Sequence, residues 1–216
     1  MTGPERPPER GTGPTPLIAV LDYGIGNLRS AQKALEKAGA DAHLTDDPDL
    51  IGTAAGVVLP GVGAFGRCME ALRATGLDAR AVAAVESGRP FLGICIGMQL
   101  LYEKSEEDPG VPGLGILTGA VRRLPEGVKI PQMQWNTLQV RRPSPLLDGL
   151  GQDPWMYFVH SFAPEDGSDT VAVCDYGGPV VAMVERERLW ATQVHPEKSG
   201  ANGLRLLSNF VRLCAS

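Results

Sequence analysis

The most informative stretch of the sequence is Phe91-Leu92-Gly93-Ile94-Cys95-Ile96-Gly97. Its first residues form the short apolar run that is typical of a strand buried on both faces. Apolar residues at positions 98, 100 and 101 then suggest that the chain turns directly into a helix. A cysteine between two glycines at such a junction fits the pattern G-x-nucleophile-x-G, in which a strained turn projects the nucleophile from the edge of a sheet. We therefore expect an α/β fold with a reactive Cys95 at the end of a strand.

Apolar runs and helical patterns alternate before this stretch. The runs at 17–21 and 57–59 predict buried strands. Helical segments end at Gly39, Gly76 and Gly88, where glycine commonly follows a helix. In the first of these helices, Asn27 is expected to be the capping residue. Because strands separated by helices form parallel sheets, this half of the chain predicts a parallel sheet with helices on both faces.

The second half of the chain has a different pattern. Beyond residue 110, short apolar runs between glycines and prolines predict β-hairpins, with strands at 114–117 and 171–173. Residues 180–184 and 189–194 predict an antiparallel pair, and residues 203–213 predict a last helix. The predicted fold class is therefore α/β, with a mostly parallel central sheet flanked by helices and a smaller antiparallel β portion.

The length of 216 residues suits one compact domain. Residues 1–16 contain five prolines and three glycines and almost no apolar side chains. We expect them to form a disordered N-terminal tail, which leaves residues 17–216 as the folded domain. The tail also lacks the apolar centre of a signal peptide.

Charge and cysteine content argue against several classes of function. The formal net charge of -5 argues against a nucleic-acid partner, which needs a concentrated basic face. The sequence has no apolar run long enough to predict a membrane span. The four cysteines show neither the spacing of a zinc site nor that of a disulfide framework, so we expect no metal and a reducing, cytoplasmic location. We interpret Cys68, Cys174 and Cys214 as small buried hydrophobic residues.

Two residues near the C-terminus complete a candidate catalytic site. His195 is suited to act as the general base for a thiol nucleophile and then to protonate a leaving amine. Glu197 can fix the tautomer of the imidazole. In an extended segment, residues i and i+2 point to the same side, so the two can act together while Pro196 stiffens the link. The helix after Cys95 would favour the thiolate and offer N–H groups to an oxyanion.

Four motifs, in order, resemble those of the class I glutamine amidotransferases over nearly all of residues 17–214. They are Pro60-Gly61-Val62-Gly63-Ala64-Phe65-Gly66, Gly93-Ile94-Cys95-Ile96-Gly97-Met98-Gln99, Tyr157-Phe158-Val159-His160-Ser161 and His195-Pro196-Glu197. Within that class, the chain resembles the glutaminase subunits of imidazole glycerol phosphate synthases. Three further segments carry this resemblance: Asp22-Tyr23-Gly24-Ile25-Gly26-Asn27-Leu28, Ile130-Pro131-Gln132-Met133-Gln134-Trp135-Asn136 and Lys198-Ser199. The alternative is a glutaminase subunit of another amidotransferase, for anthranilate, aminodeoxychorismate or pyridoxal phosphate synthesis.

The resemblance implies that Cys95, His195 and Glu197 hydrolyse L-glutamine to glutamate and ammonia through a glutamyl thioester. It also implies an oxyanion hole and substrate contacts. The expected oxyanion-hole residues are Gly61, Val62, Gly63 and Ile96, and the expected substrate contacts are Gln99 and Ser161. The two glycines beside Val62 would allow a peptide there to flip. His160 is assigned a packed structural role outside the triad.

The resemblance further implies a partner, the cyclase subunit, a (β/α)₈ barrel that would form a heterodimer with this chain. The cyclase would take up the ammonia to form imidazole glycerol phosphate in histidine biosynthesis, and it would stimulate a poorly active isolated glutaminase. The expected contact residues are Asn27, Met133, Trp135, Tyr157 and Lys198. No cofactor is expected, because Gly24-Ile25-Gly26 lacks the third glycine of a dinucleotide-binding site.

Overall fold

The computed structural model describes residues 15–216. The predicted disordered tail falls almost entirely on residues 1–14, which lie outside the described residues, so the tail stays a prediction. None of the helices in residues 15–216 is long and apolar enough to cross a membrane.

The described part of the chain forms thirteen strands and six helices. The strands are β1 (Leu17–Leu21), β2 (Asp41–Thr45), β3 (Gly56–Gly61), β4 (Phe91–Cys95), β5 (Tyr102–Ser105), β6 (Leu117–Arg123), β7 (Gln132–Thr137), β8 (Gln139–Val140), β9 (Trp155–His160), β10 (Phe162–Pro164), β11 (Thr170–Asp175), β12 (Pro179–Arg186) and β13 (Leu189–Thr192). The helices are α1 (Leu28–Lys37), α2 (Pro48–Thr53), α3 (Phe65–Ala74), α4 (Leu77–Glu86), α5 (Ile96–Leu100) and α6 (Gly200–Cys214), and short 3₁₀ turns occur at Pro145–Leu147 and Pro196–Lys198.

The main sheet has eight strands in the order β2-β1-β3-β4-β13-β12-β11-β8. The first five strands of this order are parallel to one another, and the last three continue the sheet by antiparallel pairing. Two smaller sheets have the orders β10-β6-β5 and β7-β9. This arrangement confirms the predicted α/β class with its smaller antiparallel portion. We call the antiparallel pair β7-β9 the β-ribbon.

Burial explains why the central strands were recognisable from the sequence. The side chains of β3 and β4 are buried along their whole length, as expected of parallel strands covered on both faces. In α1 the residues Leu28, Ala31 and Leu35 form the buried face of the helix, which packs on the main sheet. Gly39 follows this helix with a φ of 105°, the left-handed conformation that glycine adopts readily.

Several sequence-based predictions were incomplete or wrong. Strand β2 and helix α2 were not predicted, because β2 alternates exposed and buried positions at the sheet edge and is mostly polar. Residues 114–116 are not a strand, since Leu114 instead donates its N–H to the Leu100 carbonyl at 2.8 Å. The Asn27 side chain does not cap α1 but accepts a hydrogen bond from Ser30 Oγ at 2.7 Å.

Candidate active site

Cys95 lies at the sharp turn between β4 and α5. Its φ of 55° is a strained conformation for a residue other than glycine. A Cβ atom at Gly97 would lie 1.8 Å from the Leu59 carbonyl oxygen, and one at Gly93 would lie 3.0 Å from the Gly97 carbonyl oxygen. The two glycines therefore allow the strand and helix to approach each other, and the structure has the strained turn that the sequence predicted.

Three parallel strands bring the candidate residues to one edge of the main sheet. β4 lies between β3 and β13, and Gly61 is the register partner of Cys95. On the other side, Thr192 pairs with Ile94, so the chain leaving β13 passes beside the cysteine. In open α/β sheets, ligands bind at the carboxyl ends of the strands, which is where these segments meet.

His195 and Glu197 form a buried ion pair. Nδ1 of His195 is 2.8 Å from Oε1 of Glu197, and the two side chains are 2% and 5% exposed. The expected extended geometry is wrong for this segment, because Pro196–Lys198 is a 3₁₀ turn. Since Nδ1 donates to the carboxylate, the remaining nitrogen, Nε2, is the one available for proton transfer.

Opposing effects act on the imidazole of His195. Burial lowers its pKa, but the neighbouring Cys95 and Glu197 together outweigh burial and raise the pKa to about 10. Nε2 is buried and has no hydrogen-bond partner in the part of the chain that the structure describes. The imidazole is thus held in a form that can give a proton to a group arriving near Cys95.

The candidate residues surround a pocket of about 550 Å³. The sequence-predicted residues that line it are Asn27, Val62, Gly63, Cys95, Ile96, Gln99, Ser161, His195 and Lys198. Gly61 and Glu197 do not line the pocket but neighbour residues that do: Gly61 pairs with Cys95 in the sheet, and Glu197 contacts His195. A depression of about 610 Å³, bordered by residues 140–154, contains none of the predicted site residues.

Gln99 is fixed by its amide nitrogen. Nε2 donates to the Phe162 carbonyl at 2.9 Å and to Oε1 of Gln193 at 3.0 Å. Its own Oε1 is buried without a hydrogen-bond partner among residues 15–216. The pocket therefore contains an unused acceptor, which suits a hydrogen-bond donor on a ligand.

His160 also lines the pocket and is buried. Its Nδ1 donates to the Phe162 carbonyl at 2.9 Å, and burial lowers its pKa to about 4, so the ring is neutral at pH 7. The structure places His160 close to the site but gives it a hydrogen bond within the chain, as expected of a packed residue. Ser161, the next residue, uses its carbonyl oxygen to accept from Leu124 N at 3.0 Å.

Of the predicted interface residues, Asn27 and Lys198 line the pocket, and the other three lie on the β-ribbon. Met133 and Trp135 on the β-ribbon are 60% and 47% exposed, which is unusual for large apolar side chains. Trp135 pairs with Tyr157 across the ribbon, and their rings are 6.0 Å apart in a T-shaped arrangement. Asn27 and Lys198 are exposed at the pocket edge. Trp135 thus does not cover the core of its own domain.

The β-ribbon is joined to the segment around His195 through the main chain. The N–H of His195 donates to the Tyr157 carbonyl at 3.0 Å, and the N–H of Tyr157 donates to Ser199 Oγ at 3.0 Å. Ser199 Oγ in turn donates to the His195 carbonyl at 2.7 Å. The ribbon and the 3₁₀ turn therefore hold the backbone of the histidine from both sides.

Sequence reasoning missed three residues at or near the site. Glu107 lines the pocket and accepts from Phe65 N at 2.8 Å, but in the sequence it belongs to an acidic run that resembles solvated surface. Gln193 lies 3.7 Å from the Cys95 sulfur, and its only sequence signal is its place two residues before His195. Trp155, 56% exposed, extends the outward face of the β-ribbon.

No group of three or more His, Cys, Asp or Glu side chains within residues 15–216 is arranged to hold a metal ion. The four cysteines are all buried and unpaired. Apart from Cys95, burial raises the pKa of each thiol, to about 11 for Cys68 and Cys174 and to about 12 for Cys214.

Comparison with known proteins gives a consistent family. The family model described as "Glutamine amidotransferase class-I" matches residues 19–214. The imidazole glycerol phosphate synthase subunit HisH of Syntrophotalea carbinolica is 49% identical over 203 residues, covering 90% of this chain and 98% of the relative. The HisH subunit of Synechococcus elongatus is 51% identical over 208 residues, covering 94% and 95%.

Solved structures agree at the level of the fold. A crystal structure of a glutamine amidotransferase has a TM-score of 0.73 at 23% identity and covers 92% of this chain and 99% of its own. The structure of PurLQS from Thermotoga maritima has a TM-score of 0.72 at 22% identity, covering 92% and 98%. With its fold, its Cys95 turn and these relatives, the chain belongs to the class I glutamine amidotransferases and, within them, to the family of HisH subunits.

Proposed function

We propose that this chain is the glutaminase subunit of an imidazole glycerol phosphate synthase and that it hydrolyses L-glutamine with Cys95 as nucleophile. The observation that carries the proposal is the buried pair of His195 and Glu197, 2.8 Å apart, in the same pocket as a cysteine at a strained strand–helix turn. The identity of about 50% to HisH subunits over more than 90% of the chain supports the choice of synthase.

In the first half of the proposed reaction, the Cys95 thiolate attacks the side-chain amide carbon of glutamine. The tetrahedral intermediate collapses when the C–N bond breaks, and the protonated His195 gives its Nε2 proton to the departing ammonia. The products of this half are ammonia and a glutamyl thioester on Cys95. Glu197 holds the imidazole orientation through Nδ1 and stabilises its charge.

In the second half, water attacks the thioester carbonyl while His195 takes its proton. The C–S bond then breaks, and its electron pair returns to the Cys95 sulfur, which releases glutamate. The same imidazole thus acts as acid and then as base, which requires that Nε2 faces the pocket in both steps. Its lack of a partner among the described residues is consistent with that role.

Both halves develop negative charge on the substrate oxygen. We assign its stabilisation to the main-chain N–H groups of Val62 and Ile96, both of which line the pocket. Gly63 has a φ of 109°, so this position needs the freedom of glycine. Gly61 has a different requirement, because a Cβ there would lie 2.5 Å from Tyr23 Oη. An alanine at Gly61 would therefore test a steric clash instead of a peptide flip.

The α-ammonium group of glutamine needs acceptors, and the pocket supplies two. Glu107 brings a carboxylate, and Gln99 brings its unused Oε1. The main chain near Ser161 borders the same pocket and is our candidate for the remaining contact to the amino-acid end of the substrate. This arrangement favours an amino acid over a simple amide.

The exposed face of the β-ribbon is our candidate docking surface for the cyclase subunit. Tryptophan and tyrosine are enriched at interface centres, and Lys198 offers a charge for a carboxylate of the partner. Val159 and His160 at the end of β9 line the pocket, so a cyclase docked on the ribbon would receive ammonia before it mixes with solvent. The four unpaired cysteines are typical of a protein in a reducing compartment, which supports a cytoplasmic location.

The test is a reconstitution of the purified chain with a cyclase subunit from a related synthase, L-glutamine and the phosphoribosyl aminoimidazole nucleotide. We expect glutamine-dependent formation of imidazole glycerol phosphate, and no product with Cys95→Ala. Ammonium salts should restore product in the Cys95→Ala mixture, which shows that the cyclase is active. Product from Cys95→Ala with glutamine alone would overturn the assignment of the nucleophile.

A further inference from the structure

The side chain of Gln193 lies against the Cys95 sulfur. Its amide nitrogen, Nε2, is 3.7 Å from Sγ. We propose that Gln193 is a positioning residue that holds the Cys95 thiolate by donating an amide hydrogen bond to its sulfur. This inference rests on the proposed glutaminase function, to which it adds a fourth side chain.

The position of Gln193 follows from the sheet. It directly follows β13, whose neighbour β4 ends in Cys95, so both residues leave the same edge. Its main-chain N–H donates to the Ala182 carbonyl at 2.8 Å, and its side chain is completely buried. An uncharged amide is costly to bury unless its polar atoms find partners, so the orientation of this side chain has to be specified by its surroundings.

A chain of hydrogen bonds specifies that orientation. The Phe162 carbonyl can only accept, so the atom of Gln99 that faces it at 2.9 Å must be Nε2. The second N–H of this nitrogen donates to Oε1 of Gln193 at 3.0 Å. Oε1 is thereby the acceptor end of Gln193, and the donor end, Nε2, is left facing the sulfur. The Phe162 carbonyl thus orients Gln99, and Gln99 orients Gln193, so that an N–H donor points at the Cys95 sulfur.

A donor in this place favours the charged sulfur. Hydrogen bonds to ionised acceptors are stronger than those to neutral ones, so the amide stabilises the thiolate more than the thioester. In the proposed reaction the sulfur is anionic before attack and again when the C–S bond breaks. Gln193 therefore acts directly on the reactivity of the sulfur.

The chain contains a matched control for this contact. Gln132 is also completely buried, and its Nε2 lies 3.7 Å from the sulfur of Cys174. Cys174 lies on β11, outside the pocket. Like Gln193→Met, the substitution Gln132→Met replaces a buried amide that contacts a buried cysteine sulfur, but the sulfur concerned is not the reacting one.

The experiment measures the rate at which iodoacetamide alkylates Cys95 in the full chain between pH 5 and pH 10, by mass spectrometry. We expect Gln193→Met to move the alkylation profile to higher pH and to slow alkylation by about tenfold on the acidic limb of that profile, the effect of one hydrogen bond to a charged group. In the presence of the cyclase, kcat for glutamine should fall. Gln132→Met should keep the wild-type alkylation profile, whatever its effect on Tm.

A folded Gln193→Met chain with the wild-type rate and pH profile would overturn the proposal. If this variant does not fold, Gln193→Glu keeps the shape and the acceptor for Gln99, and its carboxylate should move the profile further to high pH. An unchanged profile in Gln193→Glu would equally overturn the proposal. Alkylation needs no glutamine, so a wild-type chain that is alkylated at Cys95 but releases no ammonia in the presence of cyclase and nucleotide would refute the glutaminase function separately.

Discussion

The substitution Glu197→Gln tests how the His195 imidazole is kept protonated. The amide has nearly the shape of the carboxylate, and its Oε1 can still accept from Nδ1, so the tautomer and packing are retained. Only the charge is removed. Because the carboxylate is one of the groups that raise the His195 pKa, the pKa should fall in the variant.

The contact geometry sets the size of this effect. The positive charge is delocalised over the His195 ring and the negative charge over the Glu197 carboxylate, so the centres of charge are farther apart than the hydrogen-bonded atoms at 2.8 Å. Two unit charges about 4 Å apart interact by about 4 kcal/mol at an effective dielectric constant near 20. One pH unit corresponds to about 1.36 kcal/mol, so the pKa of His195 should fall by about 3 units, from about 10 to about 7. At pH 7.5, about one quarter of the imidazole would then be protonated, where nearly all of it is protonated in the wild type.

The assay is an NMR titration of ¹⁵N-labelled histidine side chains between pH 5 and pH 10.5. Glu36→Gln, which removes the same charge from the exposed surface of α1, is the control and should leave the His195 midpoint unchanged. Glutamine turnover in Glu197→Gln should be reduced but measurable, whereas His195→Ala should abolish it. A His195 midpoint that is the same in Glu197→Gln and wild type would refute the electrostatic role of the carboxylate.

Four further outcomes are expected. A glutamine-derived diazo-ketone should label Cys95 alone among the four cysteines, because burial raises the pKa of the other thiols to between about 11 and 12. Peptide mapping identifies the labelled cysteine, and label found only at another cysteine would contradict the assignment of Cys95 as nucleophile. Trp135→Ala should weaken cyclase binding by at least tenfold in a titration while Tm stays near wild type, and unchanged affinity would show that the docking face is misplaced. Ammonia release should rise from the chain alone, to the chain with cyclase, to the complex with nucleotide; equal kcat in all three would exclude stimulation by the partner. Burial lowers the pKa of His160, so between pH 6.5 and about 4 the unfolded state binds more protons than the folded state, and the free energy of unfolding should fall by up to about 3 kcal/mol as pH drops. In urea unfolding, the free energy of unfolding of His160→Gln should depend less on pH, and the same pH dependence as wild type would contradict this.

Local patterns account for what the sequence predicted well. Buried parallel strands such as β1 and β4 are continuous apolar runs, and the glycines around Cys95 mark a turn that needs close packing. The amphipathic pattern of α1 and the glycine that follows it also depend on residues close in sequence. These features are recognisable because their physical cause is local.

What the sequence did not predict depends on contacts between distant segments. Gln193 and Cys95 are 98 positions apart and meet only because β13 inserts beside β4. Glu107 enters the pocket because its loop meets the start of α3, where it accepts from Phe65 N. Edge strand β2 has too mixed a pattern to be recognised without its neighbour β1. The residues that surround Cys95 and His195 are therefore determined by pairing between distant segments, which a short stretch of sequence does not reveal.

The main-chain link between the β-ribbon and His195 has a consequence for how such a protein can diverge. The ribbon holds the histidine backbone directly through the Tyr157 carbonyl, and its Tyr157 N–H orients Ser199 Oγ, which donates to the His195 carbonyl. Any amino acid at position 157 other than proline, whose backbone lacks the N–H, would provide both groups. The side chains on the outward face can therefore be exchanged to fit a different partner without removing a hydrogen bond from the His195 main chain. In the proposed complex, the ribbon that would contact the partner also holds the histidine backbone, yet the contact depends on side chains and the support of His195 depends on the main chain. A designer who wishes to pair this glutaminase with another ammonia acceptor can begin with Met133, Trp135 and Trp155 and leave the backbone bonds in place.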